Sequence, residues 1–359
     1  MRLHKTSFKT AILVVLAWGR KLHLHCPDNR FNSYQAHLAQ QLLSHPLPMT
    51  AFVSSVPTPI ARSARASSDA EQLPQVSGWQ LVGRLGGGRI TEVFQARAKG
   101  ASASIPAGYA IKLIAQDYNE PEGIESLHRE GVACKAVASP HVVPLLAANL
   151  HQVPYFLVMP FLPGKSLADL LQVGARPVLP VTLWIARQVA TGLEAMQSAG
   201  WRHGDVKPSN VMVSPCGHVT LIDLGFAQRL DHPADTLRTE RAFTATLGYS
   251  APERLTSQLQ GGAQSDLYSL GVMLYELLTG RLPFGASDPA ELVRQHREET
   301  PLDLRVLMPH IPTRVARLVL AMLQKNPLRR PQLREVILRL TALEIETFSQ
   351  RSIELEEVA

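Results

Sequence analysis

The sequence predicts an α+β fold in two lobes, a small β-rich one followed by a larger helical one, and three observations predict it. Strand-like patterns gather between Val82 and Met159, whereas helical periodicity dominates from Leu183 to about Thr347. A stretch with neither pattern precedes them. The length, 359 residues, suffices for two lobes plus an extension. A hydrophobic content of 45%, with charges of both signs, marks a packed chain rather than a disordered one.

Residues 1–77 form the extension. Ala11 to Trp18 is an apolar run between Lys9 and Arg20-Lys21, too short to span a bilayer. A basic cluster follows it and no small-residue cleavage site is evident, which argues against a signal peptide. His23, His25 and Cys26 lack a fourth ligand at useful spacing, so no zinc site is expected there. From Pro46 to Ser77 the richness in Pro, Ser and Ala reads as linker. The net charge of +6 belongs to this region: eight Lys and Arg against three acids give it +5. The remainder of the chain therefore offers no basic stripe for nucleic acid. Such a segment is expected to hold weakly to anionic membrane, an attraction that salt removes. Cys26, Cys134 and Cys216 are scattered, which excludes a disulfide framework and predicts a reducing, cytoplasmic setting.

The folded part opens at Trp79. Val82 to Ala96 reads as strand, glycine-rich turn and strand, with Leu85-Gly86-Gly87-Gly88 at the turn. Glycines alone would suit any tight hairpin. Gly100 to Pro106 reads as a disordered hairpin tip, and Tyr109 to Leu113 as a buried strand carrying one charge, Lys112. Ile124 to Val137 is amphipathic at helical spacing and contains Glu130; Glu122 and Glu125 lie just ahead of that position. Pro154 to Met159 is an apolar strand ending in Pro160-Phe161-Leu162-Pro163-Gly164. Leu183 to Gly200 is a helix with a glycine stop. Val211–Val213 and His218–Ile222 form a hairpin across Pro215-Cys216-Gly217. A strongly apolar helix runs from Ser265 to Thr279, capped by Gly280, and an acidic tail follows Thr347. The expected divisions are 1–77, 78–160, 161–347 and 348–359.

The loop between helix and hairpin carries the chemistry. His203-Gly204-Asp205-Val206-Lys207-Pro208-Ser209-Asn210 sets an acid, a base two residues on and an amide five residues on in one turn, and Asp223 follows the hairpin. Phosphoryl transfer asks for positioning and cations more than covalent chemistry. Asp205 suits a hydroxyl proton and Lys207 the charge of the transferring group. Asn210 and Asp223 offer hard oxygens to Mg²⁺.

These residues resemble the catalytic loop and D-F-G element of protein kinases, and from about residue 79 to 345 eight elements follow in the family's order. The resemblance implies a bilobal protein-kinase-like fold of the bacterial, eukaryotic-like (Hanks-type) serine/threonine class. It also implies transfer of the γ-phosphoryl group of ATP to Ser or Thr hydroxyls of protein substrates, with Mg²⁺ or alternatively Mn²⁺. By the same resemblance, Leu85, Gly86, Gly87 and Gly88 cover phosphates, with Thr91 in place of the third glycine. Lys112 contacts phosphates and pairs with Glu130; Met159, Pro160 and Leu162 line the adenine pocket. Val93 and Ala110 lie above adenine and Met212 below it. Asp205, Lys207 and Asn210 are catalytic, and Asn210 and Asp223 hold metal. Glu253 of Ala251-Pro252-Glu253 pairs with Arg330, Asp266 braces the catalytic loop, and Thr246 contacts Asp205 and Lys207. Lys207 favours Ser/Thr over Tyr as acceptor.

Two other readings share features. Aminoglycoside and choline kinases share H-G-D-x-x-x-x-N but lack the Ala251-Pro252-Glu253 element and the Asp266 helix start. Pseudokinase scaffolds usually lack a lysine or aspartate that is present here. Gly204 stands where the motif has Arg, which removes the cation that would dock a phosphate on the activation loop. Arg202 is the residue placed to swing into the vacated space.

Overall fold

The computed structural model describes residues 73–356 except 89, 116–117, 119–120, 175, 232–246 and 256–261, and for 348–356 the backbone alone. Five antiparallel strands build the small lobe: β1 (Trp79–Gly87), β2 (Thr91–Ala98), β3 (Tyr109–Ile114), β4 (Ala147–Asn149) and β5 (Phe156–Pro160), in the order β1-β2-β3-β5-β4. Side chains alternate between the faces of a strand. Ile111 and Leu113 thus join Phe94, Ala96, Phe156 and Val158 in a small core, while Ala110 and Lys112 point the other way. The register sets Val93 opposite Lys112 and Ala110 opposite Met159. Helix α1 (Pro121–Ala136) buries Leu127, Glu130 and Cys134. Glu122 in its first turn and Lys135 in its last suit the helix dipole.

The large lobe contains α2 (Leu167–Gln172), α3 (Leu179–Ser198), α4 (Ala263–Thr279), α5 (Pro289–Glu298), α6 (Leu304–Leu307), α7 (Thr313–Met322) and α8 (Leu333–Glu356). Short strands β6 (Lys165–Ser166), β8 (Val211–Val213) and β9 (Val219–Leu221) form one sheet; β7 (Trp201–Arg202) pairs with β10 (Gln228–Arg229). Helix α4 is buried nearly all round, with Leu267, Tyr268, Leu270, Val272, Met273, Leu274 and Tyr275 at most 1% exposed. Fully burying one such side chain is worth about 1.5–3 kcal/mol, against about 0–1 kcal/mol for a surface ion pair. This helix therefore anchors the lobe, and Asp266 at its start holds the backbone of His203 and Gly204.

Four expectations change. The folded body reaches back beyond Ser77: Val76 is 5% exposed in the small-lobe core, and its carbonyl accepts the Trp79 N–H at 3.1 Å. Gly100–Pro106 is a hydrogen-bonded turn, in which the Ala101 N–H donates to Ala98 and the Ile105 N–H to Ser102. Helix α3 starts at Leu179, because Pro180 sits in the first turn where its missing N–H costs nothing. Helix α8 continues to Glu356, through the boundary drawn at 347 and into the acidic tail.

The first of these is testable. A chain starting at Ser77 loses a buried valine, worth roughly 1.5–3 kcal/mol, and is expected to unfold at lower urea than one starting at Leu73. Equal urea midpoints would show that Val76 contributes nothing.

Candidate active site

Strand β7 delivers the chain into the catalytic loop, where Asp266 at the start of α4 takes two backbone N–H groups, His203 at 2.6 Å and Gly204 at 2.9 Å. His203 Nδ1 accepts the Asp205 N–H at 3.3 Å, which leaves Nε2–H to donate to the Ile222 carbonyl at 3.2 Å. The loop is thus tied both to the buried helix and to the segment carrying Asp223. Asp205 is 3% exposed. Its Oδ2 receives Lys207 Nζ at 2.7 Å and Asn210 Nδ2 at 2.9 Å, and Asn210 Nδ2 also bonds the Asp205 carbonyl at 2.8 Å. Asp205 Oδ1 is buried with no partner among the described residues. One oxygen holds the group in place and the other is left to accept.

Lys112 Nζ lies 2.6 Å from Glu130 Oε2 and 2.7 Å from Asp223 Oδ1. The helix partner is Glu130, not Glu122 or Glu125. Burial alone would lower the lysine, but the carboxylates of Asp223 and Glu130 outweigh it and hold the ammonium charged well above the ordinary lysine range. Burial likewise opposes ionisation of Asp223, yet Lys112 pulls its carboxyl down to about 2. Asp223 adopts φ +63°, a left-handed conformation rare outside glycine. It turns the chain there, and Leu224 beside it is fully buried in the large-lobe core.

The glycine-rich turn joins β1 to β2, and its conformation explains one residue: Gly87 has φ +141°, and a Cβ there would lie 2.6 Å from the Thr91 carbonyl oxygen. The Gly88 N–H donates to that same oxygen at 2.8 Å. Leu85, Gly87 and Gly88 are exposed and Gly86 is half-buried. Val93, Ala110, Pro160, Leu162 and Met212 are half-buried and Met159 is buried. An apolar cavity of about 290 Å³ between α2, α3 and the β8–β9 hairpin, lined by Leu170, Trp184 and Val213, holds none of the reacting side chains.

Glu253 and Arg330 form a buried, two-pronged ion pair at 2.7 and 2.8 Å, and Ser265 Oγ adds a bond to Glu253 Oε1 at 2.7 Å. Gly204 is more than an absent arginine. Its φ is +79°, and a Cβ would stand 2.4 Å from the Phe226 carbonyl oxygen. Arg254 Nη1 donates to the Gly204 carbonyl, a contact no sequence motif signalled although Arg254 follows Glu253 directly. Arg202 does not swing free: its guanidinium is buried and bonded to the Gln228 side chain. Burial, helped by the nearby charge of Arg254, lowers it to about 10. Thr246 and the threonines at 236, 239 and 244 lie outside the described residues.

Among the described residues no three His, Cys, Asp or Glu side chains converge as a self-sufficient metal cage. Asp223 and Asn210 each offer a hard oxygen, with Asn210 bonded to Asp205 and Asp223 to Lys112. That donor set fits a hard divalent cation that takes its other ligands from phosphate and water. No helix among the described residues is long and apolar enough to cross a membrane.

Residues 79–339 match the model of the protein kinase domain. Among curated proteins, serine/threonine-protein kinase pkn2 of Myxococcus xanthus is 34% identical over 71% of this chain and 31% of its own. Serine/threonine-protein kinase ULK3 of Rattus norvegicus is 31% identical over 72% of this chain and 53% of its own. Serine/threonine-protein kinase PrkC of Bacillus subtilis (strain 168) is 28% identical over 71% and 39%. The chain thus spans between about a third and a half of these relatives' length.

Proposed function

Because the chain belongs to the protein kinase domain family, we propose that it is an ATP-dependent serine/threonine protein kinase working through the groups assembled around Asp205. One observation carries this reading. Asp205 is fixed through Oδ2 by Lys207 and Asn210 while Oδ1 stays buried and unpartnered, aimed to receive a proton.

When bound, ATP with Mg²⁺, or alternatively Mn²⁺, supplies the γ-phosphoryl group and the cation that spreads its charge. Asp223 and Asn210 are the residues to hold that cation. Asp205 Oδ1 accepts the proton of a Ser or Thr hydroxyl and so orients the oxygen that attacks. Lys207, held beside the same carboxylate, would neutralise charge on the transferring phosphoryl group. Lys112, held by Glu130 and Asp223, presents its remaining N–H to phosphate oxygens. The glycine turn offers backbone N–H groups with little side-chain bulk.

Transfer from labelled ATP to a generic protein substrate, followed by phosphoamino-acid analysis, tests the reading. Phosphoserine or phosphothreonine is expected from the parent and none from Lys112→Met; Glu130→Gln should lower the rate less, by loosening the lysine. ATP binding without transfer would favour a scaffold, and labelling of small alcohols alone would favour a small-molecule phosphotransferase.

The backbone at Gly204 supports a second expectation. With no cation at this position, a phosphate on the activation loop gains few of the charge-assisted bonds, each worth about 1.5–3 kcal/mol. Thr236/Thr239/Thr244→Ala should therefore match the parent within about tenfold, roughly 1.4 kcal/mol in the barrier, both before and after phosphatase treatment. A larger drop confined to the untreated comparison would reveal a phospho-switch. The free thiols of Cys134 and Cys216 are in keeping with a cytoplasmic kinase. The basic residues 1–77 supply a weak, salt-sensitive hold on anionic membrane, which co-sedimentation with vesicles at low and high salt would test.

A further inference from the structure

Gly204 directly precedes Asp205, and glycine loses more conformational freedom on folding than any other residue. Its φ is +79°, and the Phe226 carbonyl leaves no room for a side chain that would restrict it. The backbone there is nevertheless tied at three successive polar atoms. The Gly204 N–H donates to Asp266 at 2.9 Å, and the Asp205 N–H donates to His203 Nδ1 at 3.3 Å. Between them lies the Gly204 carbonyl, which accepts from Arg254 Nη1. The peptide unit that leads into Asp205 is thus set on one side by the loop's own histidine. On the other side it is set by an arginine 50 residues away.

That arginine stands on a firm base. Its N–H donates to the Ala251 carbonyl at 2.9 Å and closes the turn Pro252–Arg254. Ala251 is fully buried, and Glu253 is locked to Arg330 and Ser265. The half-buried Arg254 is also kept where its charge is unwelcome. Arg202 is 7% exposed, with its Nη1 buried and without a partner among the described residues. The charge of Arg254 adds to burial in lowering Arg202. Like charges repel, so a neutral side chain at 254 would relieve Arg202. What it would forfeit is the bond to Gly204.

We propose that Arg254 is a positioning residue for phosphoryl transfer, which fixes the Gly204–Asp205 peptide through its bond to the Gly204 carbonyl and so aims the Asp205 carboxylate at the acceptor hydroxyl. It supplies from a distant segment the restraint that a glycine cannot supply for itself. A tilt of this peptide carries Asp205 with it, and a displacement of about 1 Å at a reacting group can lower a rate by about a hundredfold. This deepens the kinase reading and rests on it.

The test compares the full-length parent with Arg254→Ala and Arg254→Lys, by steady-state transfer and by amide hydrogen exchange. Arg254→Ala is expected to lower kcat by about ten- to a hundredfold, the range of one charged hydrogen bond, with KM for ATP and for the acceptor peptide unchanged. Arg254→Lys, which keeps a charged donor, should recover part of the rate. Millimolar guanidinium, against sodium at equal ionic strength, should restore part of the rate to Arg254→Ala and leave the parent as it was. Hydrogen exchange reads the same contact without any transfer: the amides of His203, Gly204 and Asp205 should exchange faster in Arg254→Ala, while those of α4 keep the parent's rate. An unchanged kcat or an unchanged exchange in the loop overturns the positioning role. So does a rise in exchange that α4 shares, the mark of a merely structural residue. If the parent phosphorylates nothing, the kinase reading falls, and the exchange difference alone decides whether Arg254 fixes the loop.

Discussion

Replacing Asp205 by Asn is expected to lower phosphoryl transfer by about 10²–10⁴-fold, the contribution of a positioned general base, while nucleotide affinity changes little. The substitution keeps the size of the side chain and an oxygen for Lys207, so the loop held by Asp266 should stand. What disappears is the buried, unpartnered Oδ1 that we propose to receive the proton. Loss in kcat without loss of ATP binding is therefore the signature. Asp223→Ala provides the contrast. It removes a proposed cation ligand and one of the two carboxylates on Lys112, so the fault should lie in nucleotide binding as well as rate. Fluorescent-nucleotide titration beside single-turnover transfer separates the two. An Asp205→Asn enzyme as fast as the parent would place the base elsewhere.

Arg330→Met is expected to destabilise the large lobe by about 3–5 kcal/mol, the usual cost of stranding one partner of a buried ion pair. Arg330 is buried against both oxygens of Glu253, donates to the carbonyls of Gln264, Gln324 and Lys325, and lies over the Tyr268 ring at 4.9 Å. Its loss leaves a buried carboxylate with Ser265 as its side-chain donor. Arg330→Lys should be costly too, since a point charge does not replace the planar fork. The double variant Glu253→Gln/Arg330→Met should recover part of the loss, because no unpaired charge remains.

Acidity supplies an independent check. Burial opposes ionisation of Glu253, but Arg330 outweighs it and depresses the folded-state carboxyl below the ordinary glutamate value. In the parent that stabilisation is present above the unfolded value, about 4.3, and fades as pH falls through the depressed one. In Arg330→Met the orphaned carboxyl should be raised instead, so acidification relieves its cost. Urea midpoints measured from pH 7 to pH 4 should therefore converge. Parallel curves would show that the pair contributes little.

The local chemistry was legible in the chain itself. The loop from His203 to Asn210 and the following Asp223 declare phosphoryl transfer because acid, base and amide must share one turn, and one turn is one short stretch of sequence. Helix α4 was legible for a similar reason: a helix apolar on every side can only be buried. Resemblance added Glu130 and Arg330 as partners, and the ion pairs at 2.6 and 2.7 Å match them.

Other features depended on how distant segments pack. Val76 looked like linker because one valine after a Pro/Ser/Ala run has no periodicity to read, yet it closes the small core. Arg202 was free to fill the space beside Gly204 until β10 brought Gln228 against it. Lys112 and Asp223, 111 residues apart, meet because the sheet and the catalytic hairpin face each other. Arg254 reaches the Gly204 carbonyl across 50 residues, and Tyr249 reaches Glu276 across 27. Sequence determined which reacting groups this protein has, since turn and helix chemistry act over a few residues. Tertiary structure decided which charges are satisfied, since ion pairs and burial are fixed only when far-apart segments exclude water together.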